Sequence, residues 1–238
     1  MRRNHYAPPP VEDIDTILLL HGNEFVDAST YEATVTNVNS VQISNDGKFD
    51  KAFYWPASGA GSQGWIDCVV DTNNRITNGV FTIDFWAKMT NTSKTYKVLY
   101  DLGDHFTQYF DASENNKYTL LNNGNGINSN WNNGAKDHWG VGGSISTCLF
   151  VINTWAHIAV VGDGSTIKIY KNGVFQVCST PTSGIVNYVM SMLNGKVRIG
   201  NINYPGLYRN FRGYISEFRF SKVARWTENF TPPTEPYL

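Results

Sequence analysis

From Ile14 onward the chain is a succession of short runs rich in β-branched and aromatic residues, parted by clusters of Gly, Asn, Asp and Ser. No stretch sustains the 3.6-residue apolar repeat of a helix. Such punctuation leaves few ways to fold, because each half-apolar strand needs a second layer to cover it. A sandwich or a barrel supplies that layer. The clearest runs are residues 16–20, 64–69, 81–88, 97–102, 154–161, 166–171, 196–199 and 211–221.

Alternation is explicit in two of them. In the run 82–88, Ile83, Phe85 and Ala87 share one face, while Trp86 lies on the other with Thr82, Asp84 and Lys88. In the run 166–171, Ile167 and Ile169 alternate with polar residues. Asn172-Gly173 then supplies the positive φ of a tight hairpin that continues through Val174, Phe175, Gln176 and Val177.

Size and composition favour one domain over two. Sandwiches of 200 to 250 residues commonly form a single unit, and 41% apolar with 16% charged residues is ample for a large core. Lys and Arg number 19 against 20 Asp and Glu, so no basic field is expected to draw in nucleic acid. The apolar run Ile17-Leu18-Leu19-Leu20 is far too short to span a bilayer. Cys68, Cys148 and Cys178 cannot all pair, and no Cys-x-x-Cys indicates zinc. Cys68 and Cys148 read as buried thiols, with a Cys148–Cys178 bridge as an alternative.

The chain divides into residues 1–13, an extended arm, and residues 14–238, a single domain. Pro8, Pro9 and Pro10 impose polyproline geometry on the arm and remove three backbone donors. It is expected to order by wrapping a partner through Tyr6 and those prolines. The segment after Met1-Arg2-Arg3 lacks the apolar stretch of a secretory signal.

Residues 104–116 and 122–146 break the strand pattern, and insertions of this length are usually functional. The second is rich in Asn, Gly and Trp. Trp131 and Trp139 offer apolar plates for pyranose faces, Asn130 and Asn132 offer amides for hydroxyls, and Asp137 and His138 lie beside them. The alternative is that these tryptophans pin the loop to the sandwich or meet a protein.

The order of runs is similar to a known family. Residues 81–88, Phe-Thr-Ile-Asp-Phe-Trp-Ala-Lys, resemble the central strand of the laminin-G-like branch of the concanavalin A-like lectin/glucanase superfamily. Trp155-Ala156-His157-Ile158-Ala159, followed by Tyr170-Lys171-Asn172-Gly173, resembles its characteristic hairpin. Residues 211–221 and the ending 224–234, Ala-Arg-Trp-Thr-Glu-Asn-Phe-Thr-Pro-Pro-Thr, complete the series, which runs over residues 16–237. The resemblance implies an all-β, two-sheet antiparallel jelly-roll sandwich.

Its glucanases carry a strand-borne Glu-x-Asp-x-x-Glu set, and no such run occurs here. A non-catalytic module is therefore expected. His157 reads as a hydrogen-bonded structural histidine beside a core tryptophan, and Glu217 with Arg219 as cross-strand or turn pairing. Calcium-binding relatives direct attention to Asp101 and Asp104, where the alternative is a solvated turn; no other cofactor is implied.

The ending is similar to those of phage tail and head proteins. The leading expectation is a bacteriophage virion protein on capsid or tail, contacting host-surface glycans or neighbouring virion subunits from the virion surface. The alternative is an extracellular, lectin-like module of a secreted bacterial enzyme or adhesin. A homo-oligomer is compatible with either.

Overall fold

The structure, a computed structural model, describes residues 13–39, 41–56, 63–71, 76, 79–90, 97–102, 107–111, 117–121, 144–145, 151–164, 167–176, 196–201 and 210–238. The strands are β1 (Thr16–Leu20), β2 (Thr34–Val38), β3 (Gln42–Ser44), β4 (Ala52–Trp55), β5 (Trp65–Val69), β6 (Val80–Met89), β7 (Lys97–Asp101) and β8 (Thr107–Asp111). They continue with β9 (Lys117–Leu121), β10 (Ser144–Ile145), β11 (Ala156–Asp163), β12 (Ile167–Lys171), β13 (Val174–Phe175), β14 (Lys196–Ile199) and β15 (Gly213–Ser221). Among the described residues there is no helix, and so none able to cross a membrane.

Two sheets result, as the alternation predicts. Sheet A runs β13-β12-β11-β6-β15-β4-β3, with β1 also on β15; sheet B runs β10-β9-β8-β7-β14-β5-β2. Every strand pairing is antiparallel. The expectation of irregular chain over 104–116 and 122–146 is corrected in part, because β8 lies in the first segment and β10 in the second. Both are added at the outer end of sheet B, where pairing depends on a neighbour rather than on a strong local pattern.

Between the sheets lie Phe53, Trp55, Ile83, Phe85, Ile158, Val160, Ile215, Phe218 and Phe220 of sheet A, against Ile66, Cys68, Leu99, Tyr100, Val197 and Ile199 of sheet B. Phe85 stacks on Phe218 at 5.6 Å and meets Tyr100 edge-on at 5.9 Å, so the two layers are keyed by rings. Each such side chain contributes about 1.5–3 kcal/mol on burial. Trp55 donates its indole N–H to the Gly64 carbonyl at 2.9 Å. At Gly200, which has φ +87°, a Cβ would fall 2.3 Å from the Trp55 ring, so only glycine lets β14 end there.

The long central strand β6 is buried on both faces. Ile83, Phe85 and Ala87 point inward, yet the outward Thr82, Asp84, Trp86 and Lys88 are only 0%, 0%, 6% and 8% exposed. Residues 222–238, which form no strand, cover Thr82 and Asp84, while Lys48 and Phe49 cover Trp86 and Asp46 reaches Lys88. Trp226 and Phe230 stack at 3.9 Å and, with Ala224, pack on Ala159, Val161 and Tyr170. Backbone and side-chain bonds fasten this segment: Phe230 N–H to the Gly173 carbonyl, Lys168 Nζ to the Thr227 carbonyl and Phe175 N–H to Asn229 Oδ1.

Candidate functional site

Strand register turns the outer face of sheet A into rows. Thr82 lies between Val161 and Ser221, Asp84 between Ala159 and Arg219, and Trp86 between His157 and Ser216. Those rows are under the C-terminal segment or the chain between β3 and β4. One further row is not: Gln42, Tyr54, Tyr214 and Lys88 are paired across β3, β4, β15 and β6, and Trp155 stands one residue before β11.

The covered rows hold a buried polar network. Arg219 donates Nε and Nη2 to the two Asp84 carboxylate oxygens, each at 3.0 Å. His157 Nε2 lies 3.0 Å from the Tyr237 hydroxyl and 3.4 Å from Asp84 Oδ2, while its backbone N–H donates to Asn172 Oδ1. Burial alone would raise the Asp84 carboxyl, but the His157 hydrogen bond and the Arg219 charge hold it below the usual value. Burial, followed by the Asp84 charge, pushes the Tyr237 phenol well above its ordinary range, so it stays neutral.

His157 is thus buried and hydrogen-bonded beside a tryptophan, but that tryptophan is Trp86, 5.2 Å away edge-on from β6. Neighbouring Trp155 faces Tyr214 instead. Glu217 and Arg219 pair outside β15 rather than with each other, Arg219 with Asp84 and Glu217 with His21. Glu217 has φ +55° at a bulge in β15, and its Oε2 accepts from His21 Nδ1 at 2.8 Å and Tyr237 N–H at 3.0 Å. The bulge turns the two side chains to different partners.

The exposed row differs in character. Tyr54 and Tyr214 stack at 4.6 Å with their planes 20° apart, and Trp155 lies 6.3 Å from Tyr214. Between these rings stands Lys88, its ammonium 4.3 Å from the Tyr214 centroid and 5.2 Å from that of Trp155. Asp46 Oδ2 accepts from Lys88 Nζ at 2.5 Å. Half-buried rings, an amide at Gln42 and an ion pair make a strip apolar along its sides and polar at its tips.

This row escaped sequence reasoning because its members come from four strands and the residue that precedes a fifth. A weaker signal was present: Tyr54 lies between core residues Phe53 and Trp55, and Tyr214 precedes core Ile215, so alternation alone turns both outward. The residues singled out earlier, Asn130, Trp131, Asn132, Asp137, His138 and Trp139, lie outside the described residues, as do Tyr6, Pro8, Pro9 and Pro10. Asp101 is buried in β7, and Asp104 is likewise outside the described residues. Among the described residues no group of His, Cys, Asp and Glu is arranged to hold a metal. Cys68 is buried and free; Cys148 and Cys178 lie outside the described residues.

With this architecture in place, a family model described as Laminin_G_3, concanavalin A-like lectin/glucanases superfamily, matches residues 60–229. The chain belongs to this superfamily. As a Laminin_G_3 domain it is similar to pappalysin-1 of Mus musculus, 37% identical over 71 residues, and of Homo sapiens, 36% identical over 72. Those stretches are 30% of this chain and 4% of the curated relatives' length.

Among solved structures, it is similar to domain 4 of AbnA, a GH43 extracellular arabinanase from Geobacillus stearothermophilus, in complex with arabinotriose. The TM-score is 0.56 at 16% identity, over 88% of this chain and 93% of that one. The binding domain of botulinum neurotoxin DC in complex with rat synaptotagmin II gives 0.54 at 15%, over 88% and 48%. The binding domain of Paraclostridial Mosquitocidal Protein 1 gives 0.55 at 13%, over 88% and 49%. At these identities the likeness is one of fold.

Proposed function

We propose that this Laminin_G_3 domain is a non-catalytic carbohydrate-recognition module whose ligand lies on the row Gln42, Tyr54, Tyr214, Lys88 and Trp155. The observation that carries the reading is that this row sets three half-buried aromatic rings, two of them stacked, beside an exposed amide and an ion pair in one line across the sheet. Sugars present apolar C–H faces and polar rims, and aromatic residues with fixed polar neighbours match both. The arabinotriose complex of the similar arabinanase domain supports the ligand class.

The carboxylates of the described face are already engaged, Asp84 by Arg219 and Glu217 by His21 and Tyr237. A hydrolytic pair would need an acid with a transferable proton beside a second free carboxylate. The setting on a bacteriophage virion rests on the closing sequence and the Pro-rich arm. Deleting residues 1–13 is expected to release the protein from particles, and unchanged occupancy would rule out the arm as its attachment strap.

The test of ligand placement is a glycan array followed by calorimetry on the best glycan. Trp155→Ala and Tyr214→Ala are each expected to weaken binding at least tenfold, about 1.4 kcal/mol, with near-native circular dichroism. Trp131→Ala and Trp139→Ala serve as the comparison. If those loop variants lost binding while the row variants kept it, the site would belong to the loop instead.

A further inference from the structure

We infer that the row selects a carboxylated sugar, a uronic or sialic acid unit, whose carboxylate replaces Asp46 on the Lys88 ammonium. This rests on the carbohydrate reading above and adds the chemical class of the ligand.

The argument begins with an asymmetry in one ion pair. Lysine is seldom buried unless paired, and the Lys88 side chain is only 10% exposed, whereas its partner Asp46 is 57% exposed. The cation is fixed by what surrounds it, between Tyr214 and Trp155 on a central strand. The anion comes from the chain between β3 and β4, where Lys48 and Phe49 lean on the Trp86 ring and Asp46 reaches across to Lys88.

The two partners therefore differ in what separation costs. Asp46 returns to water with little loss of hydration, because it has given up little. Lys88 without an anion leaves a desolvated charge among rings, which is strongly unfavourable. A ligand carboxylate that takes Oδ2's place restores the charge-assisted bond and leaves Asp46 solvated. A neutral sugar offers no such exchange: it either strips Lys88 of its anion or leaves Asp46 standing in the middle of the row. A cationic ligand meets the ammonium directly. Selection for a negative ligand follows from one buried cation with a replaceable counter-ion.

The flanking groups complete the recognition. Tyr54 and Trp155 lie on opposite sides of Lys88 along the row, and Gln42 closes the end beyond Tyr54. A sugar anchored by its carboxylate at Lys88 has ring edges or faces on both sides and an amide within the same strip.

The test is calorimetry of the full chain with matched pairs, 3′-sialyllactose against lactose and tetragalacturonate against cellotetraose. Wild type is expected to bind the better acidic probe at least tenfold tighter than its neutral match. Asp46→Asn removes the competing anion and should tighten the acidic probe several-fold. Lys88→Met should erase the acidic preference, while Lys88→Arg, which keeps the charge, should retain most of it. Near-ultraviolet circular dichroism reports whether each variant keeps its packing.

Equal affinity for acidic and neutral partners in wild type would overturn the inference and leave the carbohydrate reading standing. So would an acidic preference that survives Lys88→Met. If neither class bound, or if binding ignored Trp155→Ala and Tyr214→Ala, the carbohydrate site itself would be overturned and this inference with it.

Discussion

Asp84 and Arg219 bury opposite charges in a bidentate pair, and the consequences of cutting it are unequal. Removing one partner strands the other in a dry site, so Arg219→Met is expected to cost about 3–5 kcal/mol, read from urea unfolding. The Asp84 carboxyl is held below its ordinary 3.8 in the folded state. Its stabilisation is thus present above pH 3.8 and disappears as pH falls through the folded value. Acid unfolding of Asp84→Asn should accordingly be flatter below pH 3.8 than that of wild type. His21 runs the other way, because the hydrogen bond to Glu217 raises it above 6.5. Its contribution is whole below pH 6.5 and fades as pH rises through the raised value. The stability difference between wild type and His21→Gln should be larger at pH 5.5 than at pH 8.5, and of order 1 kcal/mol at most for a partly exposed pair.

Among the elements, the C-terminal segment is the one that changes the meaning of the strands beneath it. Without it, Thr82 and Asp84 of β6 would face water; with it, that part of the face is a second, polar core. The hairpin turn Asn172-Gly173 was legible from its dipeptide, but only half of its reason was. Gly173 has φ +76°, and a Cβ there would also collide with the Phe230 carbonyl oxygen. Gly173→Ala is therefore expected to cost more than the ~1 kcal/mol of a left-handed alanine, and to expose residues 224–238 to limited proteolysis. Strands β1, β5, β6, β7, β11, β12, β14 and β15 were readable because each alternates or is continuously apolar. The edge strand β2, Thr-Val-Thr-Asn-Val, has exposed or half-buried side chains throughout, and β4 spans only Ala52–Trp55. Pairing partners, not local pattern, make these strands.

For the whole molecule, two facing sheets leave only their outer faces and loops for recognition, and the C-terminal segment and the chain between β3 and β4 cover much of sheet A's described face beside the row at Lys88. A row built across β3, β4, β15, β6 and the start of β11 exists only once the strands are in register, which is why no contiguous stretch of sequence announces it. Its chemistry also sets a metal expectation. A hard cation needs six or more oxygen ligands, and the row offers one carboxylate, Asp46. Glycan binding there should be unchanged by EDTA, as calorimetry with and without chelator will show.

The bulge in β15 has a meaning for chain length. Strike Glu217 from the strand and the remainder, Tyr214, Ile215, Ser216, Phe218, Arg219, Phe220, alternates out and in without a fault, matching the faces those residues occupy. Glu217 is a surplus residue as far as the sheet is concerned. A variant lacking it should keep its strand pairing and lose only the clasp on His21 and Tyr237. Hydrogen exchange should then quicken at Tyr237 and leave β6 as slow as before.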